Sequence, residues 1–305
     1  EANQSNVSIT ITQTGGTATA TVPADKLPAV NDTISINGAD QSGYNGNAIR
    51  VLTTPTATTF TYSVNSGTAS PATGTITMSW NHDGFYCGVT PGSTNRDRNI
   101  TVENMEIKNM TRYGFDPHEV TQNIKHINCI AHDNRVDGYV SDYIEDGLWL
   151  NCESYDNGRH GFNITGISLN NKFIGCESFN NTDNGIVSNR SGSGKEPRDN
   201  QFIGCNIYDN QKEGFRLRNS SDDKVIGCGI YNNQRDGLTI SGTVRTIVSG
   251  NTFKNNGLSS NDTYKDVLIN EDSSGVASTN NTVDASNIFE ANDTNKVAYH
   301  VGEED

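Results

Sequence analysis

The chain has 305 residues, of which 32% are hydrophobic, and its formal net charge is −14. This composition allows one large domain or two unequal ones but no thick helical core, because Gly, Asn and Thr abound. The sequence has no run of about 18 apolar residues and no basic, apolar leader, which predicts a soluble, mature or trimmed protein without a membrane partner. The acidic charge argues against a nucleic acid partner, since phosphate backbones are bound by basic surfaces.

The first 80 residues show the periodicity of β-strands. Residues 7–22, VSITITQTGGTATATV, alternate apolar or β-branched with polar side chains on both sides of a Gly-Gly pair, which indicates a hairpin. The alternation returns in TFTYSV at 59–64 and GTITMSW at 74–80. Residues 1–80 are therefore predicted to form a small antiparallel β domain of the kind found in virus tail and fibre proteins, without chemistry of its own.

An internal repeat fills the chain from residue 81 onward. Each unit is a strand, an Asn-rich turn and a second strand that follows a Gly, with no stretch suited to a ten-residue helix. Five segments align: HINCIAHDNRVDGY from 126, LNCESYDNGRHGF from 150, IGCESFNNTDNGI from 174, IGCNIYDNQKEGF from 203 and IGCGIYNNQRDGL from 226. The period predicts an all-β fold in which residues 81–305 form a parallel β-helix.

Cysteines stand at the same place in each of these five segments. Equivalent residues of successive turns stack, so the pattern favours a column of free, buried thiols, although six Cys would also allow disulfides in an exported protein. A metal site is disfavoured because no CxxC pair occurs. Three residues after each Cys we predict a packing ladder that consists of His132, Tyr155, Phe179, Tyr208 and Tyr231.

The repeated Gly sets a register for the residues around it. Neighbouring turns lie roughly 4.8 Å apart, so equivalent side chains are within reach of one another. The residues directly before the Gly are Tyr113, Asp137, His160, Asn184, Glu213 and Asp236; one residue earlier stand Arg112, Val136, Arg159, Asp183, Lys212 and Arg235; and four residues after the Gly come His118, Asp142, Thr165, Asn189, Arg218 and Ser241. The register predicts that His118 meets Asp142, and that Tyr113 and His160 converge on one sugar ring.

This set of side chains suits chemistry on a uronic acid. Removing the C5 proton of a uronate requires a neutralised carboxylate, a base on one face of the ring and a proton donor on the other. The groups that can exchange protons are Tyr113, His118 and His160; Asp116 and Asp142 can orient or charge the histidines; and the local cations are Arg159, Lys212, Arg216 and Arg218. We further expect Lys195 or Arg198, in the loop RSGSGKEPRDN at 190–200, to clamp a polymer, with a disordered loop as the alternative.

The stretch RYGFDPHE at 112–119, together with AHDNRVDGYVSDY at 131–143 and NGRHGFN at 157–163, resembles the catalytic module of the secreted, calcium-dependent mannuronan C5-epimerases of alginate-producing bacteria. The resemblance covers residues 81 to about 240. It implies a right-handed parallel β-helix with an open alginate-binding groove and a structural Ca²⁺ whose ligands stay unassigned, without an organic cofactor. It also implies catalytic roles for Tyr113, Asp116, His118, Arg159 and His160, an active-site position for Asp142 and a groove position for Asp83.

Some positions depart from the pattern of that family. Asn81 and Arg218 stand where its epimerases commonly have groove lysines, and Arg112 stands where they have a small residue, whereas members that cleave the polymer can carry Arg there. Together with Asp83 and Asp137, these residues complete the predicted substrate-binding set. No calcium-binding nonapeptide repeats of the accessory modules occur, and residues 1–80 lie outside the resemblance.

Three functions stay open at this point. The larger part of the motif favours a mannuronan C5-epimerase, which converts mannuronate to guluronate within alginate or polymannuronate. An alginate lyase acting by β-elimination, or a bifunctional enzyme, shares the first step, and a guanidinium beside Tyr113 would favour it. The third is a non-catalytic viral adhesin that only binds polysaccharide. All three imply an extracellular or virion-associated protein, and a virion protein would allow a trimer.

Overall fold

A computed structural model describes residues 6–30, 32–80, 83–88, 96–118, 121–259, 263–290 and 299–301, with the backbone alone at residue 48 and at 299–301. The chain divides into two compact units, Glu1–His82 with Met110–Arg112, and Asp83–Asn109 with Tyr113–Asp305. The ranges 1–80 and 81–305 stay predictions as functional domains.

The described residues of the first unit form eight strands and two one-turn 3-10 helices, Ala24–Lys26 and Ser42–Tyr44. The strands are β1 Val7–Ser8, β2 Thr10–Thr14, β3 Thr17–Thr21, β4 Thr33–Ala39, β5 Gly46–Arg50, β6 Thr53–Thr56, β7 Thr59–Ser63 and β8 Gly74–Trp80. They form two four-stranded antiparallel sheets, in the orders β1-β8-β4-β5 and β2-β3-β7-β6. The predicted hairpin is confirmed, because β2 pairs with β3 across Gly15 and Gly16, which both adopt positive φ.

The second unit contains short strands whose equivalents in successive turns lie 23 to 36 residues apart along the chain. In chain order they are β9 Phe85–Cys87, β10 Thr101–Glu103, β11 Glu106–Lys108, β12 Phe115–Pro117, β13 Lys125–Ile127, β14 Ile130–His132, β15 Tyr139–Asp142, β16 Leu148–Leu150, β17 Glu153–Tyr155, β18 Phe162–Thr165, β19 Lys172–Ile174, β20 Glu177–Phe179, β21 Ile186–Asn189, β22 Gln201–Ile203, β23 Asn206–Tyr208, β24 Phe215–Arg218, β25 Lys224–Ile226, β26 Gly229–Tyr231, β27 Leu238–Ser241, β28 Ile247–Ser249, β29 Thr252–Lys254, β30 Val267–Asn270, β31 Thr282–Val283, β32 Ile288–Glu290 and β33 Tyr299–Val301.

Every third strand of this unit belongs to the same parallel sheet. The first sheet runs from β10 through β13 to β31, and the second runs from β11 through β14 to β32. The third sheet runs from β9 through β12 and β15 to β33. Each strand therefore pairs with its equivalents one turn earlier and one turn later, and the predicted parallel β-helix is confirmed.

The corners between these sheets explain the Asn-rich composition. Most corners turn through one or two residues with positive φ, a conformation that Asn, Asp and Gly tolerate better than other residues. One corner column consists of Asn104, Asn128, Asn151, Gly175, Gly204, Gly227 and Gly250, and a second consists of Asn109, Asp133, Asp156, Asn180, Asp209, Asn232 and Asn255. A composition poor in apolar residues thus follows from how often the chain turns.

A second set of asparagines lies inside the β-helix and satisfies the backbone at the turns. Asn157 is fully buried, and its side-chain amide donates to the side-chain oxygen of Asn181 at 3.0 Å. That oxygen also accepts the backbone N–H of Asn157 at 3.2 Å. The same ladder continues through Asn210, Asn233 and Asn256. Buried turn groups that would otherwise lack partners are hydrogen-bonded in this way.

Stacked columns of equivalent side chains fill the rest of the interior. The rings of Phe115, Tyr139 and Phe162 stack with centroids 4.7 Å apart at each step. The predicted free thiols are confirmed: the column of buried cysteines without disulfides contains Cys129, Cys152, Cys176, Cys205 and Cys228. The predicted ladder from His132 to Tyr231 is also confirmed, since its neighbouring rings stack at 4.6 to 4.9 Å on the outer face of the second sheet.

One titratable side chain occupies an aromatic column of the core. His126 is 0% exposed, and its ring stacks on Trp149 with centroids 5.4 Å apart. Phe115 meets the same ring edge-on at 5.2 Å. Neither ring nitrogen of His126 has a hydrogen-bond partner among the residues that the structure describes. Burial therefore disfavours the charged imidazolium and lowers the pKa of His126 to about 4.

Substitution His126→Phe is expected to remove a pH-dependent loss of stability. Below pH 6.5 the unfolded chain binds a proton that the native His126 does not accept until about pH 4. The native protein therefore loses free energy of unfolding as the pH falls through this window, by about 3 kcal/mol at roughly 1.4 kcal/mol per pH unit. Urea unfolding of both proteins above and below the window measures the difference.

The prediction concerns the difference in free energy of unfolding between wild type and His126→Phe. This difference is needed because the buried Asp223 makes stability depend on pH in the opposite direction. Burial raises the pKa of Asp223 to about 7, so its protonated native form favours folding at acid pH, and this contribution is lost as the pH rises. Asp223 is present in both proteins and cancels in the comparison. A stability difference that stays constant with pH would contradict the prediction.

Candidate active site

The third sheet carries the predicted site residues in the predicted register. Phe115 pairs with Tyr139, and Tyr139 pairs with Phe162. The residues before the repeated Gly therefore form one column along the sheet. The Gly itself is required by close packing, since a Cβ on Gly138 would lie 2.0 Å from the Ser154 hydroxyl oxygen. The repeated Gly thus allows the backbone to pack closely against the neighbouring turn directly beside the polar residues of the site.

Asp137 is the centre of the first group of site residues. Its side chain is 0% exposed and forms a bidentate ion pair with Arg159, in which Nε donates to Oδ1 at 2.7 Å and Nη2 donates to Oδ2. Oδ1 also accepts the backbone N–H of His160 at 3.0 Å, and Oδ2 accepts the Asn163 side-chain amide at 2.9 Å. Because both oxygens are occupied, this geometry favours a positioning role for Asp137 over the predicted contact with substrate.

Tyr113 joins this group through Arg159. The hydrogen bonds with Asp137 above all, and then the contact with the Tyr113 phenol, raise the pKa of Arg159 above its ordinary value. The guanidinium is therefore a permanent donor fixed beside the phenol oxygen. The backbone N–H of Tyr113 donates to Asp83 Oδ1 at 3.2 Å, which gives Asp83 a structural contact at the start of β12.

His160 lies in the same group, and its hydrogen bonds define its tautomer. The backbone N–H of Asn184 donates to Nδ1 at 3.3 Å, so the neutral ring carries its proton on Nε2. Burial above all lowers the pKa of His160 below its ordinary value. His160 is therefore neutral at pH 7 and offers an N–H donor at Nε2.

Asp183 connects His160 to the predicted cation Lys212. Its Oδ2 accepts a hydrogen bond from Lys212 Nζ at 2.8 Å, and its Oδ1 lies 4.0 Å from His160 Nδ1. We did not assign a role to Asp183 from the sequence. Its position one turn after Arg159 and one turn before Lys212, in a column of charged residues, is the signal that could have identified it.

The second group surrounds His118. Nδ1 of His118 lies 3.4 Å from Asp116 Oδ1, and Nε2 lies 3.4 Å from Asp142 Oδ2. The predicted meeting of His118 with Asp142 is confirmed. Asp116 is 0% exposed, whereas the imidazole is 26% exposed. Carboxylates beside both nitrogens orient the ring and stabilise any positive charge that it acquires.

The two groups lie at opposite ends of one short strand. Tyr113 precedes β12 and His118 follows it, with Asp116 between them on the strand. Five residues of extended chain span at most roughly 17 Å, so a phenol and an imidazole that lean inward can reach a single sugar ring from two sides. The arrangement can exchange protons on both faces of a ligand that lies between these ends.

The remaining predicted residues have different outcomes. Lys195 Nζ lies 5.4 Å from the centroid of the Tyr143 ring, which follows Asp142 and places the 190–200 loop beside the second group. Arg198 is exposed and forms isolated β-bridges with Leu169 and Ser221. Asn81 lies outside the described residues, and Arg112 belongs to the first unit. Substrate contacts by all four residues stay predictions.

The side chains of the described ranges contain no group of three or more His, Cys, Asp or Glu arranged to hold a metal ion. Calcium also binds backbone carbonyl and amide oxygens. Calcium binding therefore stays a prediction, and no chemical step is assigned to calcium. The described part of the chain also contains no helix with the length and hydropathy of a membrane span.

Substitution Asp137→Asn is expected to destabilise the first group. The new amide presents donors to Arg159 and leaves its guanidinium without a compensating charge. Because the Arg159 side chain is 39% exposed, we expect a loss of about 2 kcal/mol in the free energy of unfolding, below the range for fully buried pairs. Chemical denaturation measures the loss.

The matched control is Asp222→Asn. Asp222 forms the same bidentate pair with Arg245, also between neighbouring turns, but the Arg245 side chain is 57% exposed. We expect little change there, because solvent screens the pair. Equal losses in the two variants would contradict the positioning role of Asp137.

The histidine titration gives a second test of this group. We expect the His160 ring to titrate below pH 6.5, and Asp183→Asn to lower its pKa further, because the Asp183 carboxylate favours the imidazolium. NMR detection of the ring Cε1–H across the acid range measures both values. Asp222→Asn should leave the His160 titration unchanged, and an upward shift in Asp183→Asn would refute the proposed electrostatics.

Comparison with known proteins places this geometry in context. Residues 192–300 match the family described as right handed beta helix region. Over 82 residues, or 27% of this chain, the sequence is 50% identical to mannuronan C5-epimerase AlgE1 of Azotobacter vinelandii and covers 6% of its length. Over the same length it is 51% identical to alginate lyase 7 of that organism and covers 10% of it.

The structural comparison agrees with these sequence matches. The A-module of mannuronan C-5 epimerase AlgE6 of Azotobacter vinelandii superposes with a TM-score of 0.64 at 32% identity, over 68% of this chain and 56% of that module. The chain thus spans only part of the relatives that it matches. The predicted right-handed fold and the resemblance are confirmed, and the β-helical part of the chain is related in sequence and in fold to the mannuronan C5-epimerases.

Proposed function

We propose that this protein acts on alginate and removes the C5 proton of mannuronate residues within the polymer, as a mannuronan C5-epimerase. The observation that carries the proposal is the placement of a phenol, an imidazole and a fixed guanidinium around the single strand β12. The relation to the epimerases supports it. An acidic β-helix has no structural need for these groups around one strand.

His118 is the proposed base. We assign the ring proton to Nδ1, on the side of the buried Asp116 at 3.4 Å, which leaves Nε2 to take the proton from C5. Asp142, at 3.4 Å from Nε2, stabilises the imidazolium that this transfer produces. A carboxylate that orients a histidine and stabilises its charged form is a common device of general base catalysis.

Tyr113 is the proposed proton donor on the opposite face of the ring. Arg159 donates to the phenol oxygen and so stabilises the phenolate that remains after the O–H proton moves to C5. Negative charge develops on the substrate carboxylate after C5 deprotonation. The N–H groups of Arg159 that are not bound to Asp137 can donate hydrogen bonds to that carboxylate and stabilise its charge, together with Nε2–H of neutral His160.

A lyase is the second candidate, and the match to alginate lyase 7 favours it. Both reactions start with the same transfer from C5 to His118. In the epimerase, Tyr113 returns a proton to the other face of C5 and mannuronate becomes guluronate. In the lyase, the C4–O bond breaks, a proton reaches the departing oxygen, and an unsaturated uronate remains. Arg112, adjacent to Tyr113 in sequence, is the residue that we propose to influence this choice.

The wider substrate contacts belong to the same proposal. We propose that Asp83, Lys212, Arg216 and Arg218 line the path of the polymer, and that Lys195 or Arg198 closes over it from the 190–200 loop. An extracellular or virion-associated location would bring the protein to its polymer.

The test is incubation with polymannuronate, followed by proton NMR of the chains and by ultraviolet absorbance. New guluronate signals in chains of unchanged length are the expected result, whereas rising absorbance with falling chain length identifies the lyase. His118→Ala should lower the rate at least about 100-fold, because it removes the proposed base. His132→Ala is the matched control, since His132 lies on the second sheet and should leave the rate unchanged.

A third outcome would overturn the enzymatic proposal. A protein that binds polymannuronate but changes neither its composition nor its length, with or without His118, is a polysaccharide adhesin. Hydrogen–deuterium exchange at C5 in heavy water adds sensitivity, because even an enzyme with slow product formation incorporates solvent deuterium.

A further inference from the structure

A second ladder of polar side chains lies inside the β-helix, at the corner that precedes the first sheet. Asn171, Asn200 and Asp223 occupy equivalent positions there, each directly after a residue with positive φ, and all three are 0% exposed. Successive parallel β-bridges keep their turns in register. The column thus contains two amides followed by a carboxyl group.

The hydrogen bonds of the two amides define the place of each carboxyl oxygen. Asn200 Oδ1 accepts the backbone N–H and the side-chain amide of Asn171, at 3.1 and 3.0 Å. Asp223 Oδ1 accepts the same two groups of Asn200, at 2.9 and 3.3 Å. Oδ2 of Asp223 therefore takes the place that the side-chain nitrogen Nδ2 occupies in the asparagines.

In the asparagines this place is that of a hydrogen-bond donor. Their Nδ2 atoms also donate to a backbone carbonyl of the preceding turn, that of Ile144 at 3.0 Å and that of Ser168 at 3.2 Å. The β-bridge register makes Pro197 the equivalent residue in the turn that precedes Asp223. An ionised Oδ2 would present a second acceptor to this carbonyl, whereas a protonated Oδ2 can donate to it as Nδ2 does.

The immediate surroundings of Asp223 also favour the protonated acid. Oδ2 is buried and has no hydrogen-bond partner among the described residues. Burial above all raises the pKa of Asp223 to about 7, and the contacts with Ser220 and Asn200 offset this effect only in part. The carboxylate of Asp199, one turn earlier, raises the pKa further.

The cations around this corner do not neutralise an ionised Asp223. Arg245 is held by Asp222 in a bidentate pair with both distances at 2.6 Å. Lys224 lies on the outward side of β25, and Arg198 is exposed. Within the described ranges none of the three forms an ion pair with Asp223. An ionised carboxylate here would be buried without a compensating charge.

We propose that Asp223 is a protonated step of this ladder and a pH-sensitive latch, which closes the corner between β24 and β25 when protonated and releases it when ionised. The corner follows the end of β24 at Arg218, and the 190–200 loop ends at Asn200, which donates to Asp223. Ionisation therefore loosens the attachment of both segments. The inference does not depend on the proposed function.

The direction of the pH dependence follows from the two states of the corner. In the open corner the carboxyl group is solvated and ionises at about pH 3.9. In the closed corner it keeps its proton up to about pH 7. The equilibrium constant for opening therefore rises about tenfold per pH unit between these values, or about 100-fold from pH 5 to pH 7, and levels off above.

Hydrogen exchange at single amides tests the latch, because two backbone hydrogen bonds close this corner. The Ser221 N–H donates to the Pro197 carbonyl oxygen at 3.2 Å, and the Lys224 N–H donates to the Asn200 carbonyl oxygen at 2.9 Å. Exchange of both amides, divided by the intrinsic rate, gives the opening constant from pH 5 to pH 8. Wild type should show the rise of about 100-fold, and Asp223→Asn should show none, because its amide has no proton to lose.

Three measurements control this comparison. Asp222→Asn should keep the wild-type pH dependence, because Arg245 lowers the pKa of Asp222 and that carboxylate stays ionised from pH 5 upward. The Asn134 amide, which donates to Asn157 Oδ1 at 3.1 Å in the other ladder, reports opening of the whole unit. Carbon-13 NMR of the side-chain carboxyl carbons in wild type should show Asp223 titrating near pH 7, whether or not a variant folds.

Each outcome decides the inference. The same pH dependence in wild type and Asp223→Asn overturns it, as does an Asp223 carboxyl group that titrates below pH 5. A rise of equal size at Asn134 also overturns it, because ionisation would then unfold the whole unit rather than one corner. A rise confined to Ser221 and Lys224, and absent from Asp223→Asn, supports the latch whatever the protein does to alginate.

Discussion

In-register pairing of successive turns is the constraint on which the rest of this β-helix depends. Each strand of the third sheet hydrogen-bonds to its equivalents one turn away, so a residue at a given place after the repeated Gly has only one lateral position. A side chain at an inward position therefore has the equivalent side chains of the adjacent turns as its neighbours. This favours residue types that stack on one another, namely aromatic rings, thiols and amides. Outward positions are free to differ from turn to turn, and the chemistry of the molecule is concentrated there.

Lateral stacking also creates the electrostatic problem that the active site has to solve. A column of charged residues at roughly 4.8 Å spacing is stable only if the signs alternate or the charges are paired. The structure meets this requirement in two ways: Arg159 reaches back one turn to Asp137 in the neighbouring column, and Lys212 reaches back one turn to Asp183 in its own column. The same pairing fixes the rotamers of the groups beside Tyr113 and His160, so stability and positioning have one cause.

The sequence was sufficient to predict the fold and the columns because both follow from a period that can be counted. The spacing of the repeated Gly places His118 against Asp142 without knowledge of any coordinate, and the structure agrees. The sequence did not reveal that both oxygens of Asp137 are occupied within the protein, or that Asn184 fixes the tautomer of His160. Those features depend on side-chain direction and on backbone N–H groups near the corners, which no residue pattern records.

Pairing of the central charges has a consequence for how a polyanion would be held. If the cations near Tyr113 are already neutralised, they can orient a carboxylate and stabilise charge that develops on it, but they attract a distant chain only weakly. Attraction then has to come from elsewhere on the same sheet, where Arg216 and Arg218 form no ion pair with a carboxylate of the described residues. A β-helix allows this separation because its outward positions vary independently from one turn to the next. Capture of the polymer and proton transfer can therefore occupy different strands of one continuous surface, in a protein whose overall charge opposes an anionic substrate.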